Sequence, residues 1–266
     1  MTASLAPLSK PAASGGTCVV FFPHAGGSPR FFRHHADRLS ALAPGVRTFG
    51  ALYPGRDQRP ADPSIRTIGQ LAAGITADLD AEVGTGNTNF VLVGHSMGAF
   101  VAYETARLLQ NAGAPQVTLV ASGQDSPSLV ADRRADPEYA EPPSFTDEEL
   151  EADVLRQNPA AAEAWAVPEL RDFFLPVVRY DYSLLYGYHP SPGTGTPAGR
   201  ITSVAVIVGE QDEEVDHLQL GRWQEVAERP ITRRTAQGSH FYLEAPDHQL
   251  VDLITLLLAE TTDSQA

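Results

Sequence analysis

What the chain lacks sets its first limits. Among 266 residues there is one cysteine, Cys18, so no internal disulfide can form and a reducing compartment is the expected setting. No stretch approaches the ~18 uninterrupted apolar residues that a membrane helix requires. The opening MTASLAPLSKPAASGG carries one lysine and no apolar block, so it does not read as a secretory signal. Positive charge is scarce: 19 Lys and Arg stand against 33 Asp and Glu, a formal net charge of -14. A chain of that sign is a poor nucleic-acid binder, because phosphate contacts need clustered cations. No metal-ligand spacing such as H-E-x-x-H occurs, and Gly84–Gly86 is not followed by the helix start that a phosphate cradle needs. Neither metal nor cofactor is therefore expected. The apolar share of 42% is too high for a disordered chain. Length and composition predict one globular, cytoplasmic domain.

What is present alternates. Short runs rich in Val, Ile and Phe recur at Thr17–Phe22, Val46–Ala51, Phe90–Val93, Val117–Ala121 and Val204–Val208, each closed by Gly, Pro or Ser. Nearly continuous apolar runs are how strands buried on both faces read. Between them lie helical stripes: Phe31, His35, Leu39 and Leu42, then Ile68, Leu71, Ile75 and Leu79, then Met97–Gln110 up to the Asn111–Gly113 stop. Such alternation predicts an α/β fold with a mostly parallel sheet and helices on both faces. One connection breaks the rhythm. From Gln124 to Arg200 no strand pattern occurs, far longer than the usual two to six or so residues. Prolines 137, 142, 143, 190, 192 and 197 flank two helical stretches, Thr146–Arg156 and Pro168–Tyr186. This reads as a helical cap inserted at about 124–200 into a single domain. The first ~14 residues and Thr261–Ala266 read as frayed ends.

Gly94-His95-Ser96-Met97-Gly98 joins an apolar strand to an apolar helix, the context that a G-x-S-x-G nucleophile elbow demands. The turn is so tight that side chains two residues either side of Ser96 would collide, which explains both glycines. A serine needs a base to become a useful nucleophile. The chain order Ser, acid, His leaves His189, His217, His240 and His248 as candidates. His240 follows a candidate last strand, Ile231–Ala236, and small residues before it let its loop reach the elbow. The acid belongs in the turn after a strand. Glu210, Asp212, Glu213 and Glu214 all qualify after Val204–Val208, and Asp125 after the preceding strand is a rival. The oxyanion hole needs two backbone N–H groups: one from Met97, the other from the loop Phe22-Pro23-His24-Ala25-Gly26-Gly27-Ser28. His24 precedes the elbow and reads as loop packing.

At these residues the sequence resembles the type II thioesterases, free-standing α/β-hydrolases that accompany polyketide and nonribosomal peptide synthases. The matching segments are Phe22-Pro-His-Ala-Gly-Gly-Ser28, Tyr53-Pro-Gly-Arg-Asp-Gln-Arg59, Gly94-His-Ser-Met-Gly-Ala99, Ser122-Gly123 with Pro127, Leu175-Pro-Val-Val-Arg179 with Asp181, and His240-Phe-Tyr-Leu243. The resemblance implies the α/β-hydrolase fold and hydrolysis of acyl groups from the phosphopantetheine thiol of an acyl or peptidyl carrier protein, by a monomer. It implies Ser96 as nucleophile, His240 as base, Asp212 as acid, and Ala25 and Met97 as oxyanion donors. In related release domains fused to synthases the acid ends the earlier strand, where this chain has Ser122. In the cap, Gln157-Asn158-Pro159 replaces a usual Leu-Gly-Gly. Competing readings are an esterase or acyl-CoA thioesterase acting on small free substrates, and a non-catalytic binding protein of the same fold.

Charge adds a partner expectation. Residues 1–66 hold eight cations against three acids, so the rest of the chain is strongly acidic. Carrier proteins of such synthases are usually acidic, as the resemblance implies. Arg30, Arg33, Arg38, Arg56 and Arg59 are therefore expected to form a positive docking face beside the oxyanion loop.

Overall fold

The computed structural model describes residues 4–9, 16–57, 59–136, 144–191, 194, 199–245 and 249–263. Pro137, Pro142, Pro143, Pro192, Pro197, Gln58 and His248 lie outside the described residues.

Five of the strands in the sheet pair parallel to their neighbours because helices carry the chain back between them. These are β2 (Gly16–Phe22), β4 (Thr88–His95), β5 (Val117–Ser122), β6 (Ser203–Gly209) and β7 (Thr232–Ala236). With β3 (Arg47–Ala51) parallel to β2, and β1 (Leu5–Pro7) antiparallel on the edge, the order is β1-β3-β2-β4-β5-β6-β7. Each apolar run predicted from the sequence is a strand, within two residues at either end. The expectation of a frayed N-terminus needs correction at β1. It is a strand because Leu5, Ala6 and Pro7 pair with Ala51, Gly50 and Phe49, a long-range pairing that three residues cannot advertise by periodicity.

Alternate side chains of the central strands enter different cores. Cys18, Val20, Phe22, Phe90 and Leu92 pack with α2 (Ile68–Val83) and α3 (Met97–Asn111) on one face. Val19, Phe21, Val91 and Val93 pack with α1 (Arg33–Leu42) and the C-terminal helix (Gln249–Asp263) on the other. This two-sided burial is why the runs are continuously apolar. The stripe on α1 is shorter than expected: Phe31 sits in a preceding 3-10 turn, and Leu42, the last helical residue, is exposed.

Between β5 and β6 the described residues hold four helices and no strand: α4 (Pro127–Ala135), α5 (Asp147–Gln157), α6 (Ala162–Trp165) and α7 (Pro168–Tyr186). A capping box starts α5, with the Thr146 hydroxyl accepting from the Glu149 N–H and the Glu149 carboxylate accepting from the Thr146 N–H. Leu150, Trp165, Leu175, Val178 and Tyr182 bind α5, α6 and α7 into a small core of their own. The C-terminal helix is α8. No described helix is long and apolar enough to cross a membrane.

Candidate active site

β2, β4, β5, β6 and β7 all end on the same edge of the sheet, where open α/β folds gather their ligands. At the end of β4, Ser96 is one of two non-glycine residues with positive φ (54°, ψ -126°) among those described. That conformation is strained, and the surrounding contacts hold it. The Ser96 N–H donates to the Ser122 carbonyl at 2.9 Å, and the Ala99 N–H closes the first helical turn onto the Ser96 carbonyl at 2.8 Å. Any Cβ at Gly94 would lie 2.2 Å from the Gly98 carbonyl oxygen. One at Gly98 would lie 2.1 Å from the Phe22 carbonyl oxygen. Both glycines of the elbow are thus required by backbone-to-backbone contact, and the second contact ties the elbow to the loop after β2.

The loops after β6 and β7 cross each other. A Cβ at Gly209 would meet the Ser239 carbonyl oxygen at 2.4 Å, and the Gln211 N–H donates to the Gly238 carbonyl at 3.0 Å. This crossing brings His240 Nδ1 to 3.0 and 2.9 Å from the two carboxylate oxygens of Asp212. The Glu214 N–H donates to Asp212 Oδ1 at 3.0 Å. Both residues are buried. Of the carboxylates left open by the sequence, Asp212 is the one against His240. Asp125 is engaged elsewhere, accepting from Arg133 Nη1 at 2.7 Å and from the Asp216 N–H at 3.0 Å. His189 and His217 are exposed, and His217 Nε2 lies 2.9 Å from the Asp212 carbonyl oxygen rather than its carboxylate.

Two further imidazoles surround His240. His95 lies 4.9 Å from it, ring centre to ring centre, and His24 lies 6.0 Å from His95. Burial, helped by the neighbouring His240, holds both well below the ordinary histidine range, His24 at about 3. His24 Nδ1 and His95 Nε2 are sealed from solvent without a hydrogen-bond partner among the described residues, which suits neutral rings. His24 packs between Phe31 and Phe241 and lies directly under Gly27, the loop-packing place expected of it. His95 Nδ1 meets Ser122 Oγ at 2.9 Å, and Ser122 Oγ meets the Tyr242 hydroxyl at 2.7 Å. Ser122 is therefore part of a polar chain beneath the site. Cys18 is buried in the core with its thiol pushed up to about 12 by desolvation, so it is no rival nucleophile.

Ser96 and His240 open onto a cavity of about 770 Å³ beneath α4 to α7, bordered also by Ala25 and Gly26. Val154, Trp165, Phe174, Val178 and Leu185 give it an apolar wall, while Asp125, Arg133, Gln157 and Glu214 give it a polar one. Of the six aromatic residues between Phe173 and Tyr188, three face this space (Phe174, Tyr182 and Tyr186). Phe173 is exposed, Tyr180 donates to the Ile65 carbonyl and Tyr188 to Glu104. Among the described residues no group of three or more His, Cys, Asp and Glu is placed to hold a metal ion.

The expected docking face needs correction. Arg56 and Arg59 are buried, because their guanidinium groups are consumed by the interior: Arg56 by Asp181, Arg59 by the Leu52 carbonyl. Arg30 and Arg33 are exposed and Arg38 is half-buried. Arg30 Nε itself lies 3.4 Å from Asp57. Charge counting along the sequence has no means of telling a surface arginine from a paired one.

Sheets wound in this order, with the helix after the central strand entered through a strained serine, define the α/β-hydrolases. The sequence profile of the thioesterase domain matches residues 17–259. The chain belongs to the thioesterase family, and within it to the type II thioesterases. It is 32% identical over 233 residues to a probable cadicidin biosynthesis thioesterase of Streptomyces griseus, covering 88% of this chain and 60% of that one. It is 30% identical over 247 residues to thioesterase PikA5 of Streptomyces venezuelae, covering 92% and 82%. The type II thioesterase BorB from the borrelidin biosynthetic cluster superposes with a TM-score of 0.74 at 28% identity, covering 96% of each chain.

Proposed function

We propose that this thioesterase removes acyl groups from the phosphopantetheine arm of carrier proteins belonging to a polyketide or nonribosomal peptide synthase. The observation that carries the reading is the shared opening of Ser96, His240 and Ala25 onto one cavity of about 770 Å³ with an apolar wall. A space of that size takes a medium acyl chain, and dry walls suit it.

The reaction runs through two acyl transfers. His240, oriented by Asp212, takes the Ser96 proton as Oγ attacks the thioester carbonyl, and the pantetheine thiol leaves. The same imidazole then activates water, which releases the acid and regenerates Ser96. The oxyanion formed in each step is held by the N–H groups of Met97 and Ala25. The helix α3 begins at Met97, whose N–H is left over by the helix itself. The Gly26 N–H is already given to Asp181, whereas the Ala25 N–H has no acceptor among the described hydrogen bonds. Helices α4 to α7 act as a cap over the acyl chain. A substrate tethered to a synthase makes this a cytoplasmic activity.

Ser96→Ala is expected to lower turnover of an acyl–carrier thioester by at least about 10³-fold; retention within tenfold of wild type contradicts the assignment. Comparing acyl–carrier, acyl-CoA and small ester substrates at equal concentration tests the partner, with the carrier-bound thioester expected to be hydrolysed fastest.

A further inference from the structure

We propose that Arg56 and Asp181 are positioning residues that hold the oxyanion loop, residues 23–28, in its working shape and couple it to α7. The proposal rests on the roles given above to Ser96 and Ala25.

The pair is buried: the Arg56 side chain is 4% exposed and that of Asp181 0%. Arg56 Nη1 and Nη2 donate to Asp181 Oδ2 and Oδ1, each at 2.6 Å. The remaining donors also have definite targets. Nη1 reaches the Gly27 carbonyl at 2.9 Å, while Nε and Nη2 reach the Pro54 carbonyl at 3.3 and 3.2 Å. Asp181 Oδ2 accepts in addition from the Gly26 N–H at 2.7 Å. The pair is thus a bracket with one arm on α7, one on the segment after β3 and two on the oxyanion loop.

Shape fixes the same contact. Gly26 has φ +77°, and a Cβ there would meet Val178 Cγ2 at 2.8 Å. Val178 and Asp181 stand one turn apart on α7, so the helix presses on Gly26 with an apolar group and grips it with a charged one. Tyr53 adds a third hold, its hydroxyl donating to the Pro23 carbonyl at 3.2 Å. The loop is therefore pinned at residues 23, 26 and 27. Because peptide planes are rigid, pinning both flanks of Ala25 sets the direction of its N–H.

Two buried charges contribute little net stability over well-packed apolar groups, since desolvation offsets their attraction. A two-pronged guanidinium–carboxylate contact instead supplies fixed angles. Donors in an oxyanion hole need that precision, because small misplacements cost large factors in rate. Positioning also gives the Tyr53-Pro-Gly-Arg56 segment and Asp181 a shared purpose.

The test measures acyl–carrier hydrolysis by the full chain, with turnover expressed per active site titrated by a fluorophosphonate at Ser96. A trifluoromethyl ketone analogue of the acyl group, which forms a tetrahedral adduct, reports on the oxyanion hole directly. Asp181→Asn is expected to lower kcat per titrated site by about 10²-fold and to weaken the ketone by at least tenfold. Arg56→Met/Asp181→Leu removes both charges and is expected to fold while showing the same two losses. This double variant decides the question if the single one does not fold. The proposal is overturned if kcat per titrated site falls by less than tenfold, or if kcat falls while ketone affinity changes less than tenfold. A wild-type rate in Ser96→Ala instead overturns the active-site reading itself, so the two failures are distinguishable.

Discussion

Helices α5 and α7 lie over the same cavity, yet they are fastened to the body of the protein in opposite ways. α7 is held from inside, through Asp181 to Arg56 and Gly26. α5 is held to the body from outside: Arg156 pairs with Glu214 in the loop after β6, and Asn158 donates to Glu244 at 3.0 Å. The Arg156 side chain is 50% exposed, against 4% for Arg56. The chemistry of the two ion pairs is the same and their surroundings are not. Out of water, a charge pair is rigid and costly to break; in water and salt it is weak and replaceable. One fastening holds the loop after β2 from within, and the other joins the outer end of α5 to the loops after β6 and β7 at the surface.

The sharpest way to break this contrast is to cut each fastening alone. Arg56→Ala leaves the Asp181 carboxylate buried without its partner and is expected to destabilise the fold by about 3–5 kcal/mol, read as a lowered denaturant midpoint. A loss below about 1 kcal/mol would place the two pairs in one category. The next effect belongs to His24, a half-buried residue of the same loop whose ring packs between Phe31 and Phe241. Its folded pKa of about 3 lies below the ordinary 6.5, so the unfolded chain binds the extra proton. Its contribution is complete above about pH 6.5 and is lost as pH falls toward 3. His24→Phe is expected to flatten the decline in stability between pH 7 and 5 by about 2 kcal/mol, measured as denaturant midpoints across that range. An unchanged slope would refute it. The smallest effect is at the outer fastening. Arg156→Ala is expected to change stability by less than about 1 kcal/mol. That difference should vanish between about 0.05 and 0.5 M salt, whereas the Arg56→Ala loss should persist.

Much of the sheet is legible in the sequence because strands buried on both faces have no polar positions to hide among. Phe90–Val93 and Val204–Val208 announce themselves; Leu5–Pro7 is visible only as a partner of β3. α5 and α7 show through their stripes and, at Thr146, through a cap. α4 does not show, since Pro127–Ala135 ends in Ala-Asp-Arg-Arg-Ala and buries only its first residues. Within the site, Ser96 and His240 are readable from local context, because a strained turn needs glycines and a reaching loop needs small residues. The acid is not, as four carboxylates share the turn at 210–214 and only the crossing at Gly209 brings Asp212 against the imidazole. The Arg56–Asp181 pair is least legible of all: nothing local in either segment points to the other, and counting charge puts Arg56 on the surface.

That pair also bears on the order in which the chain becomes an enzyme. Arg56 and Asp181 are 125 residues apart, and the Gly26 bond to Asp181 spans 155. A chain leaving the ribosome has made β2, the elbow and α3 long before α7 exists. Long-range contacts of this kind close late, after local ones. The segments of the elbow and of the loop after β2 are thus made before the residue that grips Gly26, and Asp212 and His240 follow later still. On the mechanism proposed above, competence to cleave thioesters waits on segments made well after the serine elbow.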